Sequence, residues 1–72
     1  MIQDIEINPK VCNGKPVIAG TRVPVSVVLD HLSNGASVDD IQGKYPELST
    51  EQVLAAIRYC RDVIDHTELE TV

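Results

Sequence analysis

The sequence predicts a single, mainly α domain, with three helices behind a short N-terminal β arm or hairpin. Three observations predict it. From Thr50 to about His66 the apolar residues Val53, Ile57, Cys60 and Ile64 recur at steps of four, three and four, drawing one stripe down a long helix. Ser37 with Asp40, and Ser49 with Gln52, have the spacing of the reciprocal caps that open helices. Ahead of them "GKPVIAGTRVPV", residues 14–25, sets Gly14, Pro16, Gly20 and Pro24 among β-branched residues, so that the backbone path is heavily prescribed.

Residues 1–24 read as the arm. In "DIEINPKVC" the apolar Ile5, Ile7 and Val11 are separated by polar residues and by Asn8-Pro9, which predicts a short strand and then a bend. "KPVIAGTRV" is a second extended segment, broken at Gly20, with Val17, Ile18 and Val23 packing on the core or pairing with a second subunit. Gly20-Thr21-Arg22 makes the bend that sets Arg22 outward. Pro24 suits the first position of a helix, where its missing amide is harmless, and Val25, Val28, Leu29 and Leu32 follow at helical spacing until Gly35 caps the end.

Ser37 opens a short helix over "VDDIQGK", and Tyr45-Pro46 ends it because the residue before proline is pushed out of the helical region. On the last helix the face opposite the apolar stripe carries Glu51, Ala55, Arg58 and Asp62, with Arg58 and Asp62 spaced for an ion pair. Residues 25–66 therefore make a three-helix unit, and 67–72, "TELETV", a short frayed tail.

With 72 residues the chain has room for one small core, and a second copy of itself is an expected source of further stability, so a homodimer is expected. Phe and Trp are absent, which leaves Val, Ile, Leu and Ala to build that core. No apolar stretch approaches the roughly eighteen residues of a membrane span, and "MIQDIEINPK" lacks the basic start and apolar centre of a signal peptide. A cytoplasmic protein with no membrane partner is expected. Cys12 and Cys60 form no CxxC pair and are expected as buried, reduced thiols.

The net charge of −5 divides unevenly. Lys10, Lys15 and Arg22 against Asp4 and Glu6 leave residues 1–24 at +1, whereas Lys44, Arg58 and Arg61 face nine carboxylates from residue 25 onward, a balance of −6. Nucleic-acid binders draw most of their non-specific affinity from basic faces, so any DNA contact here has to be local or assisted by dimerisation.

The helix, short capped helix, turn and longer helix match the plan of a helix-turn-helix unit, in which Thr50, Gln52 and Arg58 are the candidates to read base edges. Lys10, Lys15 and Arg22 of the arm are the candidates to grip phosphates. Solvated polar surface is the alternative for either set, and the acidic surroundings count against recognition by the last helix.

Enzymatic and ligand-binding readings find little support. "GKPVIAGT" lacks the spacing of a phosphate-binding P-loop, no serine sits in a nucleophile elbow, and no carboxylate pair has a reason to face a pocket. Asp62, His66 and His31 fall short of a convincing zinc set. No enzyme activity, cofactor, metal or small-molecule substrate is expected.

The ordered combination of Gly-Lys-Pro-x-Ile-x-Gly-Thr-Arg at residues 14–22, a helix ending at Gly35, and Tyr-Pro-x-Leu-Ser at 45–49 resembles the small bacterial and archaeal family known as domain of unknown function 433. The likeness spans residues 14–60, with the strand-like start at 5–9. It implies a homeodomain-like or winged helix-turn-helix fold and a role as antitoxin in a two-component operon whose toxin is a PIN-type ribonuclease. It further implies a dimer that binds its own operator DNA and covers the active site of the toxin. There acidic residues hold a divalent metal, and the antitoxin supplies arginine or bulk. Arg22, Arg58 and Arg61 are the expected partner-binding residues. Two alternatives stand beside this one: a stand-alone DNA-binding regulator, and a non-DNA interaction module.

Overall fold

Alternating apolar residues at the N-terminus give β1 (Ile5–Glu6), which pairs antiparallel with β2 (Val17–Ile18) in the register Ile5 opposite Ile18 and Glu6 opposite Val17. Three helices follow, α1 (Val25–Ser33), α2 (Val38–Lys44) and α3 (Thr50–Asp65). These features come from a computed structural model that describes residues 4–66, so the expected tail at 67–72 lies outside the described residues. Among the described residues the fold is mainly helical, with three α-helices and one two-stranded antiparallel sheet.

The N-terminal segment belongs to the core. Val17, Ile18 and Val23 are buried, and Ile18 and Val23 join Val25, Val28, Ile41, Leu48, Val53 and Ala56 in one aliphatic cluster. Between the strands, Lys10 N–H donates to Asn8 Oδ1 at 2.8 Å, and a 3-10 turn follows at Cys12–Gly14. In that turn Cys12, Asn13 and Gly14 all take positive φ, at 50°, 58° and 82°. Asn13-Gly14 is a sequence signal for such a turn.

Each helix is delimited by local chemistry. Pro24 is the N-cap of α1 rather than its first helical residue, because its extended backbone bridges to Val17 before the helix begins. At the other end Ala36 N–H donates to the His31 carbonyl and Gly35 N–H to that of Leu32, with Gly35 at φ 91°, a Schellman cap. The two reciprocal caps form as the spacing predicts: Ser37 N–H donates to Asp40 Oδ2 at 2.9 Å and Ser49 N–H to Gln52 Oε1 at 2.8 Å. Hydrogen bonds from the Ser37 backbone and side chain hold the Asp40 carboxyl below its ordinary 3.8. A lowered folded-state value means that this cap stabilises above the unfolded value and is lost as pH falls through the folded one. The thermal-midpoint difference between the wild type and Asp40→Ala is therefore expected to be full at pH 6 and to shrink below about pH 4.

Around α3 the core differs from the single stripe that periodicity predicts. α1, α2 and β1 all pack on it, so apolar contact extends round the helix and Ala55, expected on the solvent side, is buried. Val53 is fully buried and Ile57 and Cys60 partly so, but Ile64 is 71% exposed, and on α1 Leu29 is 40% exposed. Cys12 and Cys60 are free and half-buried rather than buried, and burial pushes the Cys60 thiol up. The expected Arg58–Asp62 pair does not form. Arg58 reaches back to Glu51 at 2.8 Å, and Asp62 accepts from Arg61 at 3.2 Å.

Candidate functional site

Two turns that stand far apart in sequence meet at one cleft. The first is built on Ile18, whose carbonyl accepts from both the N–H and the hydroxyl of Thr21, at 3.0 and 2.7 Å. Gly20 supplies φ 79° as the third residue of this tight turn, and Thr21 Oγ1 accepts from Val23 N–H at 3.0 Å. Ile18 N–H donates to the Val23 carbonyl at 3.0 Å and closes the loop. The backbone around residues 18–23 is thus fixed from both sides, and Arg22 stands at its tip.

The second turn joins α2 to α3. Leu48 N–H donates to the Tyr45 carbonyl, Leu48 is buried, and its own carbonyl accepts from Gln42 Nε2 at 3.1 Å. That anchoring leaves Glu47 at the surface, where it lines an open cleft with Val11, Gly20, Thr21 and Arg22. Arg22 is exposed and, among the described residues, has no ion pair. Cys12 lies behind it, with Sγ 3.9 Å from the Arg22 carbonyl oxygen.

The rigidity of this loop can be measured. Gly20 faces open space, so a side chain there meets no neighbour, but its positive φ is disfavoured for a β-branched residue. Gly20→Val is expected to destabilise by about 1–2 kcal/mol, read as a midpoint lower by roughly 5–15 °C in a melt followed by circular dichroism.

The other predicted residues lie elsewhere. Lys10 and Lys15 are exposed on the N-terminal segment but do not line the Arg22 cleft. Lys15 instead borders a depression with Pro16, Val25, Ser26 and Leu29. Thr50 and Gln52 lie in the first turn of α3 and Arg58 near its middle, each already engaged. Thr50 donates to Gln42 Oε1 at 3.1 Å, Gln52 closes the cap on Ser49, and Arg58 is paired with Glu51. Arg61 is paired with Asp62. Reading the sequence missed Glu47, which carries no motif signal of its own and becomes notable only because the two turns meet.

Among the described residues no three His, Cys, Asp or Glu side chains gather as metal ligands, and no helix is long and apolar enough to cross a membrane. His31 packs against Tyr45 with ring centroids 5.8 Å apart, while His66 Nδ1 lies 2.7 Å from the Asp62 carbonyl oxygen at the end of α3.

The model of the family described as "Protein of unknown function (DUF433)" matches residues 5–60, most of the chain. The chain belongs to the DUF433 family. A crystal structure of a DUF433 member protein from Anabaena variabilis ATCC 29413 is similar to it at 33% identity and a TM-score of 0.80, over 90% of this chain. This chain spans 65% of that one. A comparison with curated proteins returns no match. The DUF433 match takes in both turns of the Arg22 cleft and stops before Arg61, Val63 and Ile64.

Proposed function

We propose that the protein is the antitoxin of a type II pair, a small helix-turn-helix protein of the homeodomain-like or winged type that binds and silences a PIN-type ribonuclease through its folded surface. The observation that carries this reading is Arg22: an exposed guanidinium, unpaired among the described residues, on a loop locked by Thr21. Ordering a loop on binding consumes affinity, so a cation carried on an already locked turn loses less than one on a mobile loop. A planar guanidinium pairs bidentately with carboxylates, and the acidic centre that holds metal in such a nuclease offers them.

Reading DNA with α3 is less well supported. Thr50, Gln52 and Arg58 would each have to abandon an intramolecular partner, and the charge from residue 25 onward is −6. Contact with protein needs neither. The test is co-expression of the tagged chain with the product of the adjacent gene, followed by co-purification and light scattering. A stoichiometric complex with a small nuclease is the expected result. A chain that elutes alone, as monomer or homodimer, counts against the reading.

A further inference from the structure

The chain has three asparagines, and the residue after each one sets them apart chemically. Asn8 precedes Pro9, which has no amide N–H to react. Asn13 and Asn34 each precede a glycine, whose amide nitrogen has no Cβ beside it and is the least shielded nucleophile a backbone offers. Both asparagines are exposed, yet the fold holds them differently.

Asn34 is held at its backbone and its side chain. It caps α1, where its N–H donates to the Asp30 and His31 carbonyls, its Nδ2 donates to the Asp30 carbonyl at 2.9 Å, and Gly35 N–H donates to Leu32 in the Schellman cap. Asn13 sits in the 3-10 turn between the strands, and its side chain makes no hydrogen bond among the described residues. Its backbone is at φ 58° and ψ 33° and that of Cys12 before it at φ 50°, two consecutive residues with side chains in the left-handed region. Asparagine tolerates that region, whereas cysteine is strained in it. A strained turn between two-residue strands opens at lower cost than the bonded end of a nine-residue helix.

We propose that Asn13 is a spontaneous modification site, at which opening of the Cys12–Gly14 turn admits deamidation to isoaspartate and destroys the turn behind the Arg22 cleft. In the closed turn the reaction is blocked twice. Gly14 N–H donates to the Val11 carbonyl at 3.0 Å, and at ψ 33° the Gly14 nitrogen is turned away from the Asn13 Cβ that carries the amide. Once the turn opens, the Gly14 nitrogen gives its proton to solvent base and attacks Asn13 Cγ. A C–N bond forms, the Cγ–Nδ2 bond breaks, and the side-chain amide leaves as ammonia from a cyclic imide. Water then opens the ring, at the main-chain carbonyl to give isoaspartate or at Cγ to give aspartate. No electrons are transferred: an amide and a water become a carboxylate and an ammonium ion.

Isoaspartate adds a methylene to the main chain of a turn closed by Gly14 N–H to Val11 and by Lys15 N–H to Cys12, so the product does not close it again. Val11 lines the Arg22 cleft, and Cys12 Sγ lies 3.9 Å from the Arg22 carbonyl oxygen. The change therefore reaches the back of that cleft, and it adds a negative charge to the basic N-terminal segment. The inference holds whatever the cleft binds.

To test it, the full chain is aged at mildly alkaline pH in buffer and in guanidinium chloride, and peptide mapping that separates aspartyl from isoaspartyl peptides follows both sites. In denaturant Asn13 and Asn34 are expected to convert at similar rates. In the folded chain Asn13 converts at least about tenfold faster than Asn34 but more slowly than in denaturant, because the fraction of open turns sets its rate. Isoaspartate exceeds aspartate in the product. The purified isoaspartyl chain shifts the amide signals of Val11 and Arg22, whereas Asn13→Asp, with the same charge on an ordinary backbone, leaves them nearly in place. Conversion of Asn34 as fast as or before Asn13 in the folded chain, conversion of Asn13 as fast folded as unfolded, aspartate as the main product, or an Asn13 that stays intact in buffer overturns the proposal. Equal shifts in the isoaspartyl and Asn13→Asp chains overturn it as well, by showing that the turn survives.

Discussion

Ile41→Ala lowers the thermal midpoint by more than about 10 °C. Ile41 is fully buried on α2 and belongs to the cluster that gathers Ile18 from β2, Val28 from α1, Leu48 from the second turn and Val53 from α3. Truncating a buried isoleucine removes its transfer energy and leaves a cavity, a loss of about 2–5 kcal/mol. A 72-residue domain holds only about 4–11 kcal/mol in total, so the change consumes a large share of it. With no Phe or Trp to shift into the space, an aliphatic core this small relaxes poorly. Ile41→Val, which keeps most of the volume, is expected to lose about 0.5–1.5 kcal/mol, and denaturant melts of the two variants check the ratio.

Arg22→Ala has the opposite profile. The side chain is exposed and its loop is held by Thr21 and backbone groups, so stability changes by less than about 0.5 kcal/mol. On the proposed function, affinity for a nuclease partner is expected to fall by about 2–5 kcal/mol, roughly thirtyfold to a few thousandfold, as for the loss of one member of a buried charge pair. Arg22→Lys keeps the charge without the planar fork and is expected to recover only part of the loss. Calorimetric titration reads the affinities; an Arg22→Ala chain that unfolds would instead make Arg22 a structural residue.

What could be read from the sequence is what local chemistry decides. Both Ser caps, the Gly35 cap, the bend at Gly20 and the outward Arg22 depend on residues within a few positions of one another, and each stands in the structure as its spacing predicts. The periodicity of α3 was a weaker guide because a stripe marks a direction on the helix and not how far a neighbour covers it. Ile64 carries the same signal as Val53 yet lies beyond the covered part, while Ala55 sits off the stripe and is buried where several elements converge on α3. Arg58 chose Glu51 over Asp62, a selection among exposed carboxylates that spacing alone does not make. That Arg22 and Glu47 line one cleft needed the tertiary fold, since nothing in either turn refers to the other.

The most direct measurement is a titration of RNA cleavage by the adjacent gene product, purified away from the chain, using a short single-stranded RNA and increasing amounts of the chain. The proposed function predicts that cleavage disappears at one chain per nuclease active site and persists at the same ratio with Arg22→Ala. Undiminished cleavage at saturating chain, or a neighbouring product with no ribonuclease activity, would contradict it.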